Sequence, residues 1–471
     1  MRKRYEVSLE LISWFNSVQI NWMVSSLSSI SANARELRNS LVPINRLPPE
    51  VLALVPTFRE SERDLIRATA VCSHWRRTLI STPDLWSNIV CSKRERQGTF
   101  TPHIQTYIER SGTVPIDAQI HARACKLIAP QIGRVSSLRM FLSLPPDLEK
   151  IAKHLSEPAP LLKAISLCVR GWEEPTLDLP PTFLETFRSS VRVLTLHGTI
   201  LSPSPIPCKF PQITKFILTP NFRAKVPSVV LLDTLEQMPL LQFFEVTFVS
   251  PLDVIPGHRV ATLPNLEQIT LTSDLAHIVP LEIPILPALC LPKARRVSVR
   301  SVRNSTISDI TILPLLFEEQ LPNLSAMPEA SVTIGNEFKL EFSGPDQSGL
   351  TLSIGTPGFI FTQSTFGGTP FGSVRKLRSY FPKSAVDWVP FVAVLRAMIG
   401  LEWLEMERNI GGPLTYLAGV RDQAEICPTL KTLIITNPNI DAKSCVEKFK
   451  LVRAIAGVPV AYVKIGMVVR S

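Results

Sequence analysis

An α/β fold, helices first and a parallel sheet after them, is what this 471-residue sequence predicts. Three observations carry the prediction. Residues 43–90 hold a dense helical pattern with its own start and stop signals. From residue 162 to 435 an apolar hexad recurs at intervals that fit one short strand and one return segment per repeat, an ordinary α/β domain with chance repeats being the alternative. The composition, 41 Pro against 20 Gly with 45% hydrophobic and 19% charged residues, describes a folded chain of many short elements separated by turns.

Residues 1–42 come first. From 5 to 40 there is no Pro or Gly, and Leu11, Phe15, Val18, Trp22 and Leu27 recur near helical spacing. One or two helices are expected. Three uses stay open: a membrane-surface helix, a coiled coil, or a helix packed on its own protein.

The segment 43–92 follows. Pro48 and Pro49 stand where a first helical turn tolerates missing N–H donors. Val51, Leu52 and Val55 are then expected on one face, with Pro56 stopping the helix. Ser61 can cap the next helix, with Glu62 and Asp64 favouring its dipole. Leu65, Ala68, Val71, Cys72, Trp75 and Leu79 share a stripe, either in one helix or in two that break near Cys72 and Ser73. Pro83 ends the pattern by Ser81 or Thr82, and Leu85, Trp86 and Ile89 add a last apolar cluster. This apolar face is too large for under 50 residues to bury, so the segment is expected to meet a partner.

The runs Leu47-Pro48-Pro49-Glu50-Val51-Leu52, Ala70-Val71-Cys72-Ser73-His74-Trp75-Arg76 and Ser81-Thr82-Pro83-Asp84-Leu85-Trp86, in this order, resemble the F-box. Tyr107 to Ile116 is similar to the segment that follows the F-box in many proteins of mushroom-forming fungi. The resemblance implies a helical unit that docks on a Skp-family adaptor, and through it on a cullin, in a ubiquitin ligase. The rest of the chain would present an unknown protein substrate. The adaptor-binding candidates it implies are Leu47, Pro48, Val51, Leu52, Leu65, Val71, Cys72, Trp75, Leu79, Leu85 and Trp86. Some of these must hold the unit together, and the sequence does not divide them. Pro56 departs from the family, whose first helix continues with apolar residues there.

The hexads fill the remainder, 93–471. They are Leu162-Lys-Ala-Ile165-Ser-Leu167, Val191-Arg-Val-Leu194-Thr-Leu196, Ile213-Thr-Lys-Phe216-Ile-Leu218, Leu241-Gln-Phe-Phe244-Glu-Val246, Leu266-Glu-Gln-Ile269-Thr-Leu271, Ala294-Arg-Arg-Val297-Ser-Val299, Leu401-Glu-Trp-Leu404-Glu-Met406 and Leu430-Lys-Thr-Leu433-Ile-Ile435. Several follow a proline, as in Phe210-Pro211, Met238-Pro239, Leu263-Pro264, Leu291-Pro292 and Cys427-Pro428. Final positions lie 22 to 29 residues apart from 167 to 299. These spacings fit leucine-rich repeats, stacked into a solenoid with a parallel sheet on its concave side. The Asn or Cys expected after the second apolar pair is mostly replaced, by His197, Thr219 and Thr272 among others. Alternating patterns at Ser331–Ile334, Phe338–Phe342, Leu350–Ile354 and Phe359–Phe361 predict an antiparallel β insertion over about 331–363.

The formal charge of +10 is scattered, and no basic helix with interleaved aromatics appears, so nucleic acid is not an expected partner. The eight cysteines form no C-x-x-C and read as small buried apolar residues in a reducing compartment. Glu6, Glu10, Asn16 and Gln19 interrupt any signal-peptide core, and no long apolar run is free of charge, so no membrane span is expected. A soluble cytoplasmic or nuclear protein follows. P-loop, H-E-x-x-H and G-x-S-x-G motifs are absent, the seven histidines are dispersed, and no catalytic residue, cofactor or metal is expected. The expected architecture is thus α/β: a small N-terminal helical F-box unit, then a leucine-rich-repeat-like solenoid with a parallel sheet and a β insertion. The expected role is substrate recognition within a ubiquitin ligase, the alternative a repeat-based interaction scaffold with no ligase role.

Overall fold

The computed structural model describes residues 17–55, 62–91, 100–142, 151–155, 157–169, 177–179, 186–201, 210–220, 227–248, 259–273, 285, 288–301, 327, 329–334, 337–344, 349–355, 371–381, 388–408, 410–420, 423–437 and 442–466. The chain divides into two compact units, residues 1–120 and 121–471. Residues 100–120, which the sequence places with the repeats, fall in the first unit.

The first unit runs through α1 (Ser17–Ser40), a 3₁₀ turn (Pro43–Arg46), α2 (Pro49–Leu54), α3 (Glu62–Ala68), α4 (Ser73–Ile80), a second 3₁₀ turn (Pro83–Trp86), β1 (Asn88–Val90), α5 (Phe100–Arg110) and β2 (Ile116–His121). Strands β1 and β2 pair in parallel, Ile89 opposite Ala118. Pro48 is the N-cap of α2 and Pro49 its first residue, as the missing donors require. The expected stripe breaks between Ala68 and Ser73. There Cys72 takes an extended conformation at the N-cap of α4, and Ser81 closes that helix. Pro56 and the proposed cap Ser61 lie outside the described residues.

The second unit opens with short helical turns over 122–134 and then alternates strands with return segments. Its strands are β3 (Val135–Leu142), β4 (Ala164–Val169), β5 (Leu177–Leu179), β6 (Val193–His197), β7 (Thr199–Leu201), β8 (Lys215–Thr219), β9 (Phe243–Phe248), β10 (Ala261–Thr262), β11 (Gln268–Ser273), β12 (Leu289–Cys290), β13 (Arg296–Ser301), β14 (Glu329–Ile334), β15 (Glu337–Ser343), β16 (Gly349–Gly355), β17 (Lys376–Tyr380), β18 (Trp403–Glu407), β19 (Thr432–Thr436) and β20 (Tyr462–Gly466). The return segments include α6 (Ser228–Glu236), α7 (Val389–Ala397), α8 (Gly411–Gly419) and α9 (Ala442–Ile455). The main sheet of this unit has the order β3-β4-β6-β8-β9-β11-β13-β16-β15-β14-β17-β18-β19-β20. Two short parallel pairs, β5 with β7 and β10 with β12, lie within the returns.

The hexads set the register. Ile165, Leu194, Phe216, Phe244, Ile269 and Val297 are successive partners across the ladder, and so are Leu167, Leu196, Leu218, Val246, Leu271 and Val299. All are buried, as is the leading residue of every hexad. Phe216 and Phe244 stack with ring centroids 5.7 Å apart. Strands buried on one face in this way repeat with period 2, while their stacking neighbours supply the closure that one repeat lacks.

The prolines that lead the hexads share one physical role. In Ala159-Pro160-Leu161-Leu162, the N–H of Leu162 bonds the carbonyl of Ala159, and the same bond joins Ile213 to Phe210, Leu241 to Met238, Leu266 to Leu263, Ala294 to Leu291 and Leu430 to Cys427. Each is a four-residue turn with Pro in its second position, where a fixed φ pre-sets the bend. After the strand the chain turns again. Gly198, Arg408 and Asn437, each following a strand, have positive φ, and their N–H groups bond Thr219, Thr436 and Gly466 on the next strand. Asn tolerates this left-handed conformation and Gly adopts it freely.

Two repeats were hidden in the sequence. Val135, Leu138 and Met140 form a buried hexad on β3. On β17 the series is Val374, Leu377 and Ser379, where a polar residue fills the last buried position and its Oγ donates to the carbonyl of Glu405 at 2.9 Å. The insertion also differs in detail from the expected one. Only β15 runs antiparallel to its neighbours, while β16 continues the parallel ladder from β13 and β14 hands it to β17. The three strands therefore enter the main sheet as a meander. The fourth expected strand, Phe359–Phe361, lies outside the described residues.

The last repeat is fastened by a charge. Arg453 of α9 is wholly buried, and its guanidinium donates to the carbonyls of Ile426 at 2.7 Å, Cys427 at 3.0 Å and Val458 at 3.1 Å. The burial itself lowers its pKa. Fixed donors aimed at three turn carbonyls are the compensation a buried guanidinium needs.

Candidate functional site

In the helical unit the structure sorts the eleven expected partner-binding residues into two groups. Leu52, Leu65, Trp75, Leu79 and Trp86 are buried within the chain, together with Ala53, Ala68 and Ile89. Leu47, Cys72 and Leu85 are partly exposed, and Pro48, Val51 and Val71 are exposed. The shared face expected for Val51 and Leu52 is not formed, because adjacent helical positions point apart: Leu52 enters the core and Val51 is 43% exposed. Val71 leaves the stripe in the bend before α4 and is 60% exposed.

The core is held by directed contacts as well as burial. Trp86 Nε1 donates to the carbonyl of Leu79 at 2.8 Å. The Trp86 ring meets Tyr107 edge-on at 5.0 Å, and the Arg110 guanidinium lies 4.4 Å over it. Helix α5 thus closes over Trp86. Trp75 Nε1 donates to Asn45 Oδ1 at 2.6 Å, and Asn45 Nδ2 donates to the carbonyl of Asn39 at 2.7 Å. Ser73 Oγ donates to Glu36 Oε1 at 2.8 Å, and Arg77 lies 3.9 Å from the same carboxylate. Glu36, Asn39 and Asn45 therefore tie the end of α1 and the turn after it to α4. Sequence reasoning missed all three. A short amide in a Pro-containing turn was their one available signal.

With the core filled, several large apolar side chains remain outside it. Val51 and Leu54 share one face of α2 at i and i+3, and Leu54 is 52% exposed. Val71 and Ile80 flank α4 at its two ends and are exposed. On α3, Arg67 pairs with Asp64 at 3.3 Å. Such an arrangement can bind an apolar surface. Among the described residues no group of three or more His, Cys, Asp or Glu is placed to hold a metal. Among them, too, no helix is long and apolar enough to cross a membrane.

On the repeat unit, the face opposite the buried one presents Arg139, Ser166, Thr195, Ile217, Glu245, Thr270 and Ser298 in one register row. Lys215 Nζ lies 4.5 Å over the Phe243 ring on the same side. Burial and the positive charge of Arg139 hold the His197 pKa below its ordinary value, against an opposing effect from Glu245. Further along, the charges pair: Lys376 with Glu329 at 3.4 Å and Arg378 with Glu405 at 3.3 Å.

Residues 44–92 match the family model described as F-box-like. That span covers α2, α3, α4, the turn ending at Trp86 and β1. No curated protein matches the chain.

Proposed function

We propose that this chain, whose residues 44–92 form an F-box-like domain, is the substrate-recognition subunit of a Skp–cullin–F-box ubiquitin ligase. It docks on the Skp-family adaptor through the F-box-like helices and holds a protein substrate on the repeat unit. A family match of this kind supports an adaptor role in a ubiquitin ligase in general. The finer reading rests on the exposed apolar residues Val51, Leu54, Val71 and Ile80, which surround a core already closed by Leu52, Trp75, Leu79 and Trp86. Apolar side chains left outside a filled core are what a protein partner covers. The chain's contribution is position: the ligase supplies the chemistry and this subunit raises the effective concentration of substrate beside it.

The face of the repeat unit that lines up Arg139, Thr195, Glu245 and Thr270 is the proposed substrate surface, because stacked parallel strands offer one continuous array of side chains. The test is co-purification of the full chain with a Skp-family adaptor. The Leu54→Ser/Val71→Ser variant is expected to lose about tenfold or more in adaptor affinity, equivalent to ~1.4 kcal/mol, with unchanged circular dichroism. Retention of full affinity by a folded variant overturns this docking face.

A further inference from the structure

Positive charge that is scattered along the sequence gathers on one stretch of the repeat sheet. Arg139, Lys163, Arg192 and Lys215 stand on, or at the entry of, four successive strands, β3, β4, β6 and β8. Arg295, Arg296 and Arg300 stand in the same way on β13, three strands further along. All are exposed except Lys215, which is partly exposed with its Nζ over the Phe243 ring. Arg139, Lys215, Arg296 and Arg300 point away from the buried face, because they alternate with the core positions Leu138, Met140, Phe216, Val297 and Val299. At the corresponding positions of β3 to β13 the carboxylates are Glu245 and Glu267. Among the described residues none of these cations is ion-paired.

The other end of the sheet differs. On β17 to β19 Lys376 meets Glu329 at 3.4 Å, Arg378 meets Glu405 at 3.3 Å and Lys431 meets Glu402 at 3.3 Å. Parallel strands in register serve both ends, so the same geometry that pairs charges there leaves them unpaired on β3 to β13. Like charges held side by side repel, and a partner that brings carboxylates relieves the repulsion.

We infer that the open face of β3 to β13 binds an extended Asp- or Glu-rich segment of a protein. The inference rests on the reading of this face as the substrate surface. Six strand intervals separate β3 from β13, about 29 Å at ~4.8 Å each, which an extended chain of roughly nine residues covers. Between the cations stand hydroxyls that can donate to carboxylates, Ser166 beside Thr195 and Thr270 beside Ser298. A phosphate is a compact ligand that favours several cations converging on one point. Here Arg139, Lys163, Arg192 and Lys215 are spread one to a strand. Single-stranded nucleic acid is held on open aromatic faces, and the Phe243 ring already carries Lys215.

Fluorescence anisotropy on the full chain tests this, with a labelled peptide of alternating Glu and Ser about ten residues long. The comparisons are the same peptide with Gln in place of Glu, a neutral peptide with one phosphoserine, and a single-stranded DNA of equal length. The Glu peptide is expected to bind at low salt and to lose about tenfold or more in affinity at roughly 0.3 M salt. Arg192→Glu/Arg296→Glu is expected to weaken it about tenfold or more, and Arg192→Lys/Arg296→Lys to retain it. Lys443→Glu/Lys448→Glu, the same charge change on α9, should behave as wild type. All four positions are exposed, and circular dichroism should be unchanged in every variant. A Glu peptide that does not bind overturns the inference, as do equal binding of the Gln peptide and equal losses in the two charge reversals. Tighter binding of the phosphopeptide or of the DNA would assign the face to that ligand and overturn it too. Co-purification with the adaptor is measured separately. A chain that binds the Glu peptide and retrieves no adaptor keeps this inference and loses the ligase reading, and the opposite result overturns this inference alone.

Discussion

The helical unit and the repeat unit place their apolar residues in opposite ways. In the repeat unit all eight hexads expected from the sequence are buried at their first, fourth and sixth positions, because each strand pairs with a neighbour on both sides. In the helical unit short helices of six to eight residues bury one face and leave Val51, Leu54, Val71 and Ile80 exposed. The first is closed by repetition, while the second has too few elements to cover what it carries. The difference separates the two proposed binding modes: side chains in register on the sheet, and leftover apolar surface on the helices.

The largest expected effect falls inside the sheet. Phe244 stacks on Phe216 and lies between two further strands, so Phe244→Ala should destabilise the repeat unit by about 4 kcal/mol, the usual cost of an emptied aromatic site. Urea unfolding followed by circular dichroism measures it. A cost below about 1 kcal/mol would mean that the ladder relaxes around the void, and the closed core described for this unit would be wrong.

What the sequence revealed follows the same division. Hexads are legible because the period, the burial and the register all come from one repeated demand. Val135, Leu138 and Met140 obey the same demand. Val374–Ser379 was illegible because Ser379 satisfies a buried position by a hydrogen bond instead of an apolar contact. Arg453 was illegible for a similar reason: a lone arginine in a helical pattern reads as surface, and only the three carbonyls assembled around it make it core. In the helical unit the motif residues stood out, but their division into core and surface did not. That division turns on the bend at 69–72, which rotates Val71 outward and Trp75 inward toward Asn45.

A middle-sized effect probes burial through pH. Desolvation pushes the thiols of Cys125 and Cys427 up to about 12 from 9.0. Between those values the folded chain holds both protons while the unfolded chain releases them. The unfolded state then binds fewer protons, so stability falls as pH rises, by about 1.4 kcal/mol per pH unit for each thiol. Below pH 9 this contribution is flat. Cys427→Ala, compared with wild type in urea titrations at alkaline pH, should reduce that slope by one thiol's share. An unchanged slope would show that water reaches Cys427 in the folded state, and that the turn ending the last repeats is less closed than the rest of the sheet.

The smallest expected effect is the sharpest for the comparison. Val71 shares its motif with Cys72 and Trp75, yet it projects from the bend and contributes little to the core. Removing an exposed side chain forfeits little burial, so Val71→Ser should change unfolding free energy by about 0.5 kcal/mol or less. Leu52→Ala, at a fully buried position on α2, should cost about 3 kcal/mol. The two variants separate fold from docking: the first should lower adaptor affinity at full stability, while the second should lower the folded fraction itself. A Val71→Ser protein as unstable as Leu52→Ala would place Val71 back in the core and close the apolar surface on which the proposed docking depends.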